Sequence, residues 1–337
     1  MTGERGMLRV AVVGLGGIGR THAQCYAENP GAELVAVCDV VPERVGPVAE
    51  RYGVPGYHGL DKLLAAEDVD AVSVATAGAE NGGDHYAPVA ALIEAGKHVL
   101  VEKPISNDIE QARAMVRLAA DKGVLLGVDL NHRFTPAAAR AKKLQHDGAL
   151  GEVLFINMAL WIDNPNESSP WFHLRALHPH SIDVMRFFGG PITKVQAFLH
   201  RGPGRSIWSN ASVNVQFATG AVGHLTGSYD ASRHHPIERC EVAGSRGRFV
   251  IENVFQRLEF FPRNSPEKLV VDNPIMGGME GFGQTFKNRI DRFVAQVSAG
   301  GPLDASGADG LAAQEVIEAA IRSFEGGTIE TAEEVAG

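Results

Sequence analysis

The sequence predicts two dissimilar halves: an α/β N-terminal part on a doubly wound parallel sheet, and an α+β C-terminal part with an open, largely antiparallel sheet. Three observations predict this. Short apolar runs alternate with helical runs over the first ~130 residues, whereas beyond about residue 150 strand-like runs follow one another directly. The length, 337 residues, exceeds the ~150 residues of one typical domain. The boundary is expected within 128–150, giving domains 1–130 and 131–337.

In the first half, LRVAVV (8–13), AELVAVCD (32–39), VDAVSVAT (69–76), KHVLVE (97–102) and VLLGVDL (124–130) read as strands. Their near-continuous apolar character suits strands buried on both faces. Between them, HYAPVAALIEAG (85–96) reads as a helix closed by Gly96. A further helix is expected to be capped by Asn107, with Glu110 three residues on, and stopped by Gly123. In the second half, segments 152–162, 194–200, 212–218, 221–229, 237–244, 247–252 and 256–261 are strand-like, and Thr219-Gly220 and Ser245-Arg246-Gly247 suit hairpin turns. Helices are expected over 179–188, 282–300 and 307–327.

Composition narrows the function. The chain is 45% hydrophobic and 21% charged with a net charge of −9, and no long basic run interrupts it. That balance argues against nucleic-acid or anionic-membrane partners. No uninterrupted apolar stretch approaches the ~20 residues of a membrane helix, and MTGERGMLRV lacks the apolar core of a secretory signal. Cys25, Cys38 and Cys240 lie far apart without paired spacing, as expected of buried thiols in a reducing cytoplasm.

The first motif is VAVVGLGGIGRTH, with Gly14-x-Gly16-x-x-Gly19 between a strand and a helix. Gly14 suits a tight turn, Gly16 a close approach of backbone to a pyrophosphate, and Gly19 close helix packing. The helix N-terminus then offers N–H groups to phosphates. Asp39, 25 positions after Gly14, can accept hydrogen bonds from ribose hydroxyls and repel a 2′-phosphate. NAD is therefore the expected cofactor, NADP less so, with Arg44 within reach; the competing reading makes Asp39 a helix cap.

The second is HVLVEKPIS (98–106). A proline after Lys103 disfavours helical backbone at that lysine and keeps it extended at the end of a strand. Ligands of open parallel sheets sit outside those carboxyl ends, so Lys103 is placed where a nicotinamide would lie. An ammonium there, next to a cationic ring, has a lowered pKa suited to proton exchange.

Together GLGGIGRTH, AGKHVLVEKPIS and HPHSIDVMRFFGG resemble the glucose–fructose oxidoreductase/inositol dehydrogenase family, Gfo/Idh/MocA, as do VAGSRGRFVIEN and the segment from FGQTFKNRIDRFV to DASGADGLAAQEVIEAA. The resemblance spans nearly the whole chain. It implies a Rossmann domain followed by an open-sheet domain that makes homodimers or homotetramers, and hydride transfer between a sugar or cyclitol hydroxyl carbon and nicotinamide. Related members that retain NAD as glycosidases, or bind dinucleotide as sensors, are the alternatives. The implied cofactor contacts are Gly14, Gly16, Gly17, Ile18, Gly19, Asp39, Thr76, Glu102 and Lys103, with Lys103 taking part in proton transfer.

Such proteins usually carry Asp-x-x-x-His before a helix. His180 holds the histidine position, but Ala176 stands where the aspartate would be. Pro179 suits the first helical position, which puts His180 in a first turn that disfavours imidazolium. Asp183, on a neighbouring part of that helix, or His178 can take up the aspartate's role. Asn131, His132, Trp161, Asp183 and His234, next to His235, are the expected substrate contacts. His173, His178 and His180 lack the spacing of a zinc motif, so no metal is expected. The loop after Thr76 has Ala77 where the family has proline, and its Glu80, Asn81 and Asp84 read as solvated.

Overall fold

The computed structural model describes residues 6–78, 83–231, 237–273 and 278–332. By contacts the chain divides into two units, Met1–Asp129 with Phe286–Leu311, and Leu130–Thr285 with Ala312–Gly337. Residues 286–311 thus pack with the first unit, where the sequence suggested one continuous second domain.

The first unit runs β1 (Leu8–Val13), α1 (Gly17–Ala27), β2 (Ala32–Cys38), α2 (Pro42–Tyr52), β3 (Gly56–Tyr57), α3 (Leu60–Ala66), β4 (Ala71–Val74), α4 (Tyr86–Glu94), β5 (His98–Val101), α5 (Ile109–Lys122) and β6 (Leu126–Val128). Its six strands form a parallel sheet in the order β3-β2-β1-β4-β5-β6. The order reverses between β1 and β4, which opens a crevice outside their carboxyl ends. Val99, Leu100 and Val101 are wholly buried, and burying each such side chain is worth ~1.5–3 kcal/mol. That energy locks the pairing of Val74 with Val101, so the residues just beyond both strands cannot slip. Helix α5 is capped by Asp108, whose carboxylate accepts from Gln111 N at 2.9 Å; Asn107, the expected cap, lies one residue too early. Gly123 ends the helix at φ +65°.

The second unit contains α6 (Pro136–His146), β7 (Val153–Trp161), α7 (Phe172–Leu177), α8 (Pro179–Gly189), β8 (Ile192–His200), β9 (Asn210–Phe217), β10 (Val222–Ser228), β11 (Glu238–Gly244), β12 (Gly247–Glu252), β13 (Arg257–Pro262) and β14 (Leu269–Asp272). Helix α9 (Gly278–Ser298) follows and passes into the first unit at Phe286; α10 (Gly307–Gly326) returns at Ala312, and β15 (Glu330–Thr331) ends the order. The nine-stranded sheet is ordered β14-β13-β12-β11-β7-β10-β9-β8-β15. Every pair is antiparallel except β7 with β10.

Alternation along β7 buries Ile156, Met158 and Leu160 and leaves Phe155 and Trp161 exposed. The buried face meets Ile182, Met185 and Phe188 of α8 and Val316, Ile317 and Ala320 of α10 in one core. Helices α6 and α7 were not expected from the sequence. PAAARAKKLQH consists mostly of good helix formers, Pro136 opens it and Thr135 caps it by accepting from Ala138 N at 3.1 Å; α7 has only six residues. Among the described residues no helix is long and apolar enough to cross a membrane.

Candidate active site

In the first unit, β1 delivers the chain to Gly14 at φ +87°. A Cβ there would lie 2.6 Å from the Ala75 carbonyl, and one on Gly19 only 1.7 Å from Gly14 O. A Cβ on Gly16 or Gly17 would meet nothing within 4 Å, so the first turn of α1 faces open space. No side chain caps that turn, which leaves its N–H groups, at Gly17, Ile18 and Gly19, to an anion. Beside it lies a cavity of about 550 Å³ bordered by Gly14, Gly16, Asp39, Arg44, Thr76 and Pro88, among others. Glycines, uncapped helix turn and cavity fit a dinucleotide.

Asp39 is not the cap of α2; Val41 is. Its Oδ2 accepts from Leu15 N at 2.6 Å and its Oδ1 from Val41 N at 2.8 Å. Each carboxylate oxygen keeps a second lone pair, and Arg44 Nη1 stands 3.7 Å from Oδ2. Thr76 Oγ1 donates to Asp84 O at 2.7 Å, closing the base of a loop in which Glu80 and Asn81 lie outside the described residues. The His85 ring nitrogens reach Pro104 O at 2.8 Å and Thr76 O at 2.9 Å, tying the ends of β4 and β5 together.

The residue after each central strand continues the backbone ladder: Ala75 N donates to Val13 O, Glu102 N to Val74 O and Asp129 N to Val101 O, all at 2.8–2.9 Å. Glu102 and Asp129 are thereby set side by side under α1, where His22 Nε2 lies 3.2 Å from Glu102 Oε1 and 3.1 Å from Asp129 Oδ2. Lys103 follows, half-buried, its N–H donating to Glu102 Oε2 at 3.2 Å and its peptide bond to Pro104 cis. Burial holds the Lys103 ammonium below the ordinary lysine range, against the pull of the Glu102 and Asp129 charges.

In the second unit a one-turn 3-10 helix, Asn131–Arg133, sends three successive side chains to three elements. Asn131 Nδ2 donates to Thr285 Oγ1 at 2.8 Å, His132 Nδ1 lies 2.6 Å from Glu238 Oε2, and Arg133 forks onto both oxygens of Asp183, Nε to Oδ2 at 2.7 Å. His180 is the second residue of α8, after Pro179. Its ring lies flat on His132, centroids 3.9 Å apart and planes within 4°. Asp183 thus serves Arg133, a partner the sequence did not suggest.

The remaining expectations separate. Trp161 sits on the exposed face of the sheet beside Phe198, Asn210 and Thr226, donating Nε1–H to Thr226 O at 3.1 Å; the opposite face carries Leu160. His173 and His178 are fully buried with Nε2 atoms 3.0 Å apart, against Tyr229 and Ser181. Burial pushes His173 down to about 3 and His178 well below its ordinary range, so both are neutral core groups. His234 and His235 lie outside the described residues.

Sequence reasoning missed His22, Asp129 and Glu238. Each left a signal. His22 falls three residues after Gly19, Asp129 ends an apolar strand as Glu102 does, and Glu238 shares its strand face with Cys240 and Val242, both buried.

Residues 8–130 match a family described as an oxidoreductase family with an NAD-binding Rossmann fold, and residues 138–250 match the GFO/IDH/MocA C-terminal domain. The chain is 30% identical over 331 residues to inositol 2-dehydrogenase of Rhizobium meliloti strain 1021, covering 94% of this chain and 96% of that protein. It is 26% identical to D-apiose dehydrogenase of Paraburkholderia graminis, over 95% of this chain and 88% of that one. The solved structure of levoglucosan dehydrogenase in complex with NADH and L-sorbose superposes with a TM-score of 0.86 at 24% identity, covering 98% of this chain and 100% of the other. The chain belongs to the Gfo/Idh/MocA family of NAD-binding oxidoreductases.

Proposed function

We propose that this chain is an NAD-dependent dehydrogenase that oxidises a ring hydroxyl of a cyclitol or sugar to a ketone. One observation carries the reading: Thr76, on the wall of the nucleotide cavity, and Lys103 each stand two residues beyond the paired ends Val74 and Val101 of neighbouring strands. A depressed amine therefore sits at the same edge of the sheet as the cofactor cavity. Bound NAD supplies the hydride acceptor. Lys103 takes the hydroxyl proton as the C–H bond breaks, with His180 as the second proton-handling group. Asp39 holds the adenosine ribose, and Gly16 to Gly19 the pyrophosphate. Inositol 2-dehydrogenase and the apiose and levoglucosan dehydrogenases among the relatives support a polyhydroxylated substrate.

The experiment is a panel of cyclitols and sugars assayed for NADH absorbance. Net NADH with a polyol supports the reading; NAD binding with no turnover across the panel, or aglycone release without net NADH, overturns it.

The chain is also proposed to self-associate through the exposed sheet face and to work in the cytoplasm. Phe155 and its register partner Val222, with Trp161 and Phe198, expose 37–61% of their surface on that face, and large apolar patches mark interaction surfaces. Buried, unpaired cysteines suit a reducing compartment. Light scattering of wild type and Phe198→Glu decides the first point: a dimer or tetramer dissociated by the charge is expected, and a monomeric wild type overturns it.

A further inference from the structure

The turn Asn131–Arg133 is fastened more heavily than a connector needs. Asn131 is bonded to α9, Arg133 to α8, and between them His132 is bonded to Glu238 at the start of β11. All three side chains and Glu238 are buried. One face of the His132 ring is covered by His180, almost parallel at 3.9 Å, while Phe282 meets the ring edge-on at 5.9 Å and 87°.

A carboxylate on Nδ1 freezes rotation of an imidazole and selects its tautomer. A ring so frozen becomes a wall, and in a close-packed interior a wall fixes the plane of whatever lies on it. Position 176, one turn before His180, carries no acid. We propose that Glu238 and His132 are positioning residues for His180: the Glu238 carboxylate sets the plane of the His132 ring, and that ring, stacked on His180, sets the direction in which His180 presents its nitrogen. The inference rests on the reading in which His180 handles the hydroxyl proton, since positioning has a catalytic consequence only then.

Two variants separate orientation from charge. Glu238→Gln keeps an acceptor for the His132 N–H, and Glu238→Met keeps the volume but removes the acceptor. The Met variant is expected to lose ~10- to 100-fold in kcat with KM and NAD affinity little changed, and the Gln variant to recover most of it. In a His180→Ala background, Glu238→Met is expected to cost less than about twofold more, since both changes remove one function. A Met variant with wild-type kcat, a Gln variant as slow as Met, or the full loss repeated in the His180→Ala background overturns the proposal.

The geometry has a readout that needs no turnover. His180 ring signals, assigned by their loss in His180→Ala, should shift or broaden in Glu238→Met and stay put in Glu238→Gln; unmoved signals in the Met variant overturn the proposal whatever the activity. If wild type makes no NADH from any polyol, the dehydrogenase reading fails while these spectra still judge the positioning. Should Glu238→Met not fold, His132→Phe, which keeps a flat ring and drops the bond, takes its place with the same expectations for kcat and spectra.

Discussion

His22 Nε2 lies 3.1 Å from Asp129 Oδ2, joining α1 to the end of β6 across 107 positions of sequence. Glu102 Oε1 is 3.2 Å from the same nitrogen, and Ser73 Oγ 2.7 Å from Nδ1. Burial of the ring works against its charge, but the hydrogen bonds to Asp129 and Glu102, and then their charges, outweigh it and raise His22 to about 9. Glu102 is pushed up by burial and by Asp129 while His22 pulls it back. A protonated His22 held between Glu102 and Asp129 follows from these opposing effects.

The pH dependence has a definite sign. A histidine raised in the folded state stabilises fully below its unfolded value of 6.5 and loses that contribution as pH climbs through about 9. Urea unfolding of wild type and His22→Gln between about pH 6 and pH 10 should show their stability gap shrinking by roughly 3 kcal/mol. A gap that stays constant would mean the ring is neutral throughout.

Lys103→Met is expected to keep NAD affinity and lose ~10²- to 10⁴-fold in kcat, the usual range for a removed acid–base group. Titration of NAD by fluorescence alongside steady-state kinetics checks both halves. Undiminished turnover would defeat the role given to the amine.

Asp39→Ser should move the ratio of kcat/KM for NAD over NADP toward NADP by ~10-fold, equivalent to about 1.4 kcal/mol. Arg44, already 3.7 Å from the carboxylate, is left to face a 2′-phosphate. An unchanged ratio would reduce Asp39 to its bonds with Leu15 and Val41.

Arg133→Met leaves the Asp183 carboxylate buried without its guanidinium partner, a change that costs ~3–5 kcal/mol. Adding Asp183→Leu should restore most of the loss. Thermal unfolding of the three variants measures this, and a double variant no more stable than Arg133→Met would show that the pair is not the source.

The sequence by itself determined the parallel sheet, the glycine turn, Asp39 at the second strand, Lys103 at the fifth, and Pro179 opening the helix that carries His180. These depend on local rules: apolar runs of strand length, glycine where a Cβ would strike backbone, proline where an N–H is dispensable. Periodicity says which face a side chain takes, not which distant side chain it meets. Hence Glu238 was legible only as an inward acid, and its bond to His132, 106 positions away, came with the sheet. Asp183 turned to Arg133 and His22 found Asp129, because burying a charge demands a partner and only the folded backbone decides which one is near.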